Sequence, residues 1–130
     1  MFRWIEHTGE LALEIEAPTA EQVFADALAA LAELLRNGEG ASPQSRDVAV
    51  RAGDGAALLA AWLEELVFLA ETESFVPEAV ESLELGDGEL RARIRGSPGD
   101  APHLVKAVTY HKLELDQSDG GWRARAVLDV

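Results

Sequence analysis

The sequence contains no cysteine. That one absence excludes a disulfide scaffold, a thiolate zinc site and a cysteine nucleophile together, and it is compatible with a reducing compartment. Long apolar runs are missing too. No window approaches the roughly 20 consecutive apolar residues of a membrane-spanning helix, and the opening Met1-Phe2-Arg3-Trp4-Ile5-Glu6 has no long apolar stretch. The expected location is the cytoplasm.

Basic residues are scarce over the first two thirds. From Met1 to Leu90 four arginines stand against nineteen Asp or Glu, a balance of −15, whereas from Arg91 to Val130 seven Lys or Arg face five acids, a balance of +2. Lys and Arg hold a phosphate backbone by displacing its counterions. A chain this acidic is therefore disfavoured as a direct nucleic-acid binder and favoured as a partner for a basic protein. Catalytic apparatus is also lacking. None of the six serines lies in Gly-x-Ser-x-Gly, and Gly96-Ser97-Pro98-Gly99 lacks the Lys-Ser/Thr ending of a phosphate-binding loop and reads as a turn. His7, His103 and His111 are far apart, and none has His-x-x-x-His spacing. With no nucleophile and base in evidence, an enzyme is the weaker class.

What is present suffices for one core. At 130 residues and 48% hydrophobic composition, the chain fits one domain spanning 1–130. Phe2 to Ile5 reads as a strand, and Leu11, Leu13 and Ile15 alternate with Ala12, Glu14 and Glu16 as in a half-buried strand. Thr19 with Gln22 makes a capping-box pattern, opening a helix whose Val23, Phe24, Ala27, Leu28, Leu31, Leu34 and Leu35 share a face, and Asn37-Gly38 should stop it. Val48 and Val50 mark a short strand. Asp54 can cap a second helix with a broad apolar arc of Leu58, Leu59, Trp62, Leu63, Leu66, Val67 and Leu69 and a wet side of Glu64, Glu65, Glu71 and Glu73. Two hairpins follow, turning at Gly86-Asp87-Gly88 and at Ser118-Asp119-Gly120-Gly121. The order predicts an α+β, two-layer domain: a mostly antiparallel or mixed sheet with two main helices packed on one face.

Parity singles out a few charged positions. Arg91, Arg93 and Arg95 project opposite Leu90, Ala92 and Ile94, and Arg123 and Arg125 project opposite Trp122, Ala124 and Ala126. If those strands are neighbours, five guanidinium groups share one sheet face; the plainer reading is a solvated outer face. Asp129 falls on the side of Arg123 and Arg125, next to the carboxylate of Val130, and two adjacent carboxylates offer hard oxygen ligands suited to Ca²⁺, Mg²⁺ or Mn²⁺.

Three segments together resemble the archease family: Glu6-His7-Thr8-Gly9-Glu10, the run from Leu58 to Phe68, and Val105-Lys106-Ala107-Val108-Thr109-Tyr110-His111 closed by Val127-Leu128-Asp129-Val130. The likeness covers nearly the whole chain. It implies a non-catalytic accessory to an RtcB-type RNA ligase, which joins RNA ends using GTP and Mn²⁺; the accessory promotes guanylylation of the ligase's active-site histidine. The resemblance further implies a divalent cation, Ca²⁺ first and Mg²⁺ or Mn²⁺ next, held at Glu10, Asp129 and the carboxylate of Val130. It assigns the functional lysine to Lys106, with His7 and Tyr110 in the same motifs. A role as chaperone-like modulator of another RNA-modifying enzyme, such as a tRNA methyltransferase, is the alternative. Two departures stand out: Glu10 replaces the family's usual Asp, moving the oxygens by about 1.5 Å, and the stretch from Gly96 to Leu104 is shorter than usual.

Overall fold

Alternation and capping carry through into a computed structural model, which describes residues 1–36 and 42–130. The elements run β1 (Phe2–His7), β2 (Glu10–Ala17), α1 (Ala20–Leu35), β3 (Gln44–Arg51), α2 (Gly55–Thr72), β4 (Phe75–Gly86), β5 (Glu89–Pro98), β6 (Ala107–Ser118) and β7 (Gly121–Asp129). The class expected from the sequence, α+β, is what the structure shows. The strands, however, divide into two antiparallel sheets in place of one: a four-stranded sheet ordered β1-β2-β7-β6 and a three-stranded sheet ordered β3-β5-β4. Both helices pack against strands of both sheets. Two sheets let two amphipathic helices with wide apolar arcs bury more of their circumference than a single sheet allows.

Capping explains where the helices begin. The Thr19 hydroxyl accepts from the Gln22 amide at 3.1 Å, and the Asp54 carboxylate accepts from the Ala57 amide at 2.8 Å. Only half of the capping box forms, because the Gln22 side chain donates to Asp26 at 2.8 Å instead of reaching back. α1 ends at Leu35 with Arg36 as its C-cap; the predicted stop at Asn37-Gly38 lies outside the described residues. At the helix crossing the buried Trp62 indole donates to the Phe24 carbonyl at 2.9 Å, so the largest core side chain also satisfies its only polar atom.

Both hairpins turn where glycine permits, with Gly88 at φ +67° and Asp119-Gly120 at +34° and +79°. The Gly96-Ser97-Pro98 segment, by contrast, is not the predicted turn. It continues β5, with Gly96 opposite both Gln44 and Pro77. Glycine is needed there for close approach: a Cβ would sit 2.7 Å from the Phe75 ring and 2.5 Å from the Val76 carbonyl oxygen. Pro77 is likewise inside a strand, tolerated because β4 is an edge with register shifts on either side of Ala79.

Candidate functional site: a carboxylate pair at a sheet corner

In the four-stranded sheet, residues directly opposite one another share a face. Leu13, Ile15, Ala124, Ala126 and Leu128 point into the core, so the alternate positions form the outer face. One row across that face reads His7, Glu10, Asp129 and Ala107, on β1, β2, β7 and β6. The next row is Ile5, Ala12, Val127 and Thr109, and the third is Arg3, Glu14, Arg125 and Glu114.

The first row and the third differ in how charge is compensated. Glu14 is held by Arg3 at 2.6 Å and Arg125 at 3.3 Å, and Glu16 by Arg123 at 3.4 Å. Glu10 and Asp129 face each other, both half-buried, and neither carboxylate has a hydrogen-bond or ion-pair partner among the described residues. Like charges placed directly opposite in a sheet repel.

Backbone bonds fasten this corner. The Val130 amide donates to the Gly9 carbonyl at 3.1 Å, and the Lys106 amide donates to the Asp129 carbonyl at 2.7 Å. Gly9 sits at φ +73°, which lets the β1–β2 turn present that carbonyl. Glu10, Asp129, Val130 and the Lys106 backbone, drawn from three separate stretches of sequence, therefore meet at one point. His7 is exposed beside Glu10. Tyr110 goes elsewhere: it is 64% exposed and turned toward α2, its hydroxyl 3.5 Å from Glu64.

The donor set is hard oxygen throughout, which suits Ca²⁺, Mg²⁺ or Mn²⁺. Among the described residues, no group of three His, Cys, Asp or Glu side chains gathers around a point. A cation here would rest on two side-chain carboxylates and main-chain oxygen. The three histidines do not converge; His103 lies 3.6 Å from Glu71 instead.

The conditional expectation of five guanidinium groups on one face fails. Arg91, Arg93 and Arg95 lie on β5, in a different sheet from Arg123 and Arg125. They are also neutralised locally, by Glu89, by Asp47 at 3.5 Å and by Glu78 at 3.9 Å. A hydrogen bond from Arg91 holds the half-buried Glu89 carboxyl below its ordinary range.

A second surface feature was not singled out in the sequence. Glu64, Val67, Phe68, Glu71, Val105 and Lys106 are among the residues lining a depression of about 390 Å³ between α2 and the start of β6. Phe68 is the available signal, because it is a large aromatic that falls off the apolar arc of α2 onto its acidic side.

Comparison with known proteins gives the corner its context. The sequence pattern of the archease protein family matches residues 2–130. Proteins named archease from Pyrobaculum islandicum and Methanopyrus kandleri are 32% and 33% identical to this chain. The alignments cover 99% and 97% of it and 95% and 96% of those proteins. The solution structure of protein 1598 from Methanobacterium thermoautotrophicum superposes with a TM-score of 0.71 at 26% identity, covering 99% of this chain and 98% of that one. The crystal structure of an archease from Thermotoga maritima, described as a possible chaperone, gives the same TM-score at 19% identity over 100% and 98%, a likeness of fold. On the family pattern and these relatives together, the chain belongs to the archease family.

Proposed function

We propose that this chain is a non-catalytic activator of an RtcB-type RNA-splicing ligase, promoting guanylylation of the ligase's active-site histidine. The observation that carries this reading is the uncompensated Glu10–Asp129 pair at an exposed sheet corner, with Lys106 bonded to it through the backbone. Glu10, Asp129 and the carboxylate of Val130 would hold a divalent cation, which when bound would supply positive charge for phosphate oxygens. Lys106 contributes a second, mobile positive charge, and His7 lies on the approach. The net charge of −13 favours docking against a basic surface.

The decisive experiment measures ligase guanylylation with GTP in the presence and absence of this protein. A clear increase in the rate or extent of guanylylation is expected, and it should weaken as salt rises because exposed charges are screened. Equal guanylylation with and without the protein excludes the proposal. The description of the Thermotoga relative as a possible chaperone supports a coarser second reading, stabilisation of another RNA-modifying enzyme. That reading predicts protection of such an enzyme against thermal aggregation, independent of GTP.

A further inference from the structure

The depression between α2 and β6 has properties that point to a cation on the occupant. Its floor is apolar, from Val67, Val105 and Val108, and Phe68 on its rim is 48% exposed. The Tyr110 hydroxyl lies 3.5 Å from the lining Glu64, and Leu104, 43% exposed, immediately precedes the lining Val105. Exposed aromatic and aliphatic groups gathered around one groove mark an interaction surface better than the same groups scattered.

Two independent features set the sign of the occupant's charge. First, the Glu71 side chain is only 16% exposed, and its Oε2 is buried without a hydrogen-bond partner. Its Oε1 lies 3.6 Å from His103 Nδ1. A buried carboxylate oxygen without a donor is costly, and a donor entering the groove that Glu71 lines offsets that cost. Second, α2 ends here, and its last turn carries no basic residue. No basic residue of α2 itself therefore offsets the negative end of the helix dipole.

The same helix end shows which cation fits. On its other side Arg46 stacks over the Phe75 ring at 4.6 Å and pairs with Glu73 at 2.9 Å. Phe68 presents an exposed ring and Glu71 a largely buried carboxylate to the same groove, with no arginine of this chain between them among the described residues. A guanidinium combines a flat face for the ring with a fork of donors for the carboxylate, which a lysine ammonium does not.

We infer that this groove receives an arginine side chain from a basic segment of the partner protein, stacked on Phe68 and paired with Glu71. Lys106 is the one Lys or Arg among the lining residues, and its like charge directs the guanidinium toward Glu71 and Glu64. The groove lies beside the carboxylate corner, since Lys106 belongs to both. An arginine anchored there fixes the distance between the partner and Asp129. The inference rests on the partner-dependent role proposed above, but the arginine site itself is testable without any ligase.

The test is an NMR titration of labelled protein with a short blocked peptide carrying one arginine between two leucines, its lysine counterpart, and a single-stranded RNA oligonucleotide. Saturable shifts confined to the amides of Phe68, Glu71, Val105 and Lys106 are expected with the arginine peptide. Lysine should bind about threefold or more weakly, and Glu71→Gln should weaken the arginine peptide about tenfold. A second variant, Phe68→Ala, should lose affinity through a different atom set, and its unchanged Tm would show that folding is not the cause. Equal binding of the arginine and lysine peptides, an unmoved affinity in Glu71→Gln, or shifts at the groove caused by RNA and not by peptide would each overturn the inference. With an RtcB-type ligase, Glu71→Gln should raise the concentration needed for half-maximal stimulation while leaving the metal-dependent Tm shift of the corner in place. Stimulation by the variant at the wild-type concentration would show that the partner does not use the groove. Failure of the wild-type protein to stimulate would count against the proposed function alone, because the peptide arm stands apart from it.

Discussion

Glu10 on β2 and Asp129 on β7 are direct cross-strand partners, and the repulsion between them should make the metal-free protein less stable than its fold allows. Removing one charge by Glu10→Gln is expected to raise stability in chelator by about 0.2–1 kcal/mol, the usual size of a cross-strand pair. Divalent metal should raise the wild-type Tm. A ligand specific to the native state adds about 2.7 kcal/mol at a hundredfold excess over Kd, readily seen by thermal unfolding of a small domain. Glu10→Gln and Asp129→Ala should blunt that shift, and Glu10→Asp should keep it. A wild-type Tm indifferent to millimolar Ca²⁺, Mg²⁺ and Mn²⁺ would rule out a stable metal site at the corner.

Trp62 tests the core. Trp62→Phe keeps an aromatic ring but removes the indole bond to the Phe24 carbonyl, which as a residue inside α1 keeps its helical partner. The expected loss is about 1–2 kcal/mol, combining one buried hydrogen bond with a small void. Urea unfolding should show a lower midpoint with an unchanged slope; an unchanged midpoint would mean that water or repacking replaces the bond.

Gly96→Ala should destabilise by about 1–3 kcal/mol, because the added methyl meets the Phe75 ring and a carbonyl oxygen at once. Pairing with the smaller Phe75→Leu should recover part of the loss, as expected of two groups in contact. Additive losses would mean that the backbone clash dominates.

Gly96 also shows where sequence reading stops. A Gly-Ser-Pro cluster carries the same letters whether it turns or runs as an edge-paired strand beside a ring, and only the long-range pairing with Gln44 and Pro77 decides. The helices were legible because their causes are local: Thr19 and Asp54 cap them, and the apolar spacing sets their buried faces. The division into two sheets was not legible, since alternation gives each strand's inner face but never its neighbour. Glu10 and Asp129 lie near opposite ends of the chain, and the resemblance to a family, not their spacing, brought them together. Of the acids read as the wet side of α2, Glu64 and Glu73 are exposed, whereas Glu65 and Glu71 are half-buried; Glu71 lines a depression with residues 105–108, a long-range neighbour that no helical wheel contains.

Glu89 makes a pH test of the β4–β5 hairpin. Its carboxyl is held low by the Arg91 hydrogen bond first and by the charges of Arg51 and Arg91 next. A carboxylate with a depressed folded value contributes stability above its ordinary value of 4.5, and that contribution disappears as pH falls through the depressed value. NMR titration should find the Glu89 midpoint below 4.5. Arg91→Ala should move it up, with the effect on Tm small because exposed pairs contribute little. A midpoint unmoved by Arg91→Ala would assign the shift to Arg51.

Lys106 separates two contributions that meet in one residue. Its amide fastens Asp129 at 2.7 Å, whereas its side chain is exposed and has no ion-pair partner among the described residues. Lys106→Ala keeps the amide, so stability should change by no more than about 0.5 kcal/mol and the metal-dependent Tm shift should persist. Guanylylation of the ligase should nevertheless fall, because a positive charge near the phosphates is gone. Lys106→Arg should restore only part of it, since a broad planar guanidinium is a poor substitute for a compact ammonium. Lys106→Pro does the reverse, deleting the amide donor to the Asp129 carbonyl; about 1 kcal/mol or more should be lost and the metal response weakened along with it. If the alanine variant stimulates guanylylation as well as wild type, the side chain has no part in activation. If the proline variant still responds fully to metal, the backbone bond does not position Asp129, and the corner is held by the Val130–Gly9 bond alone.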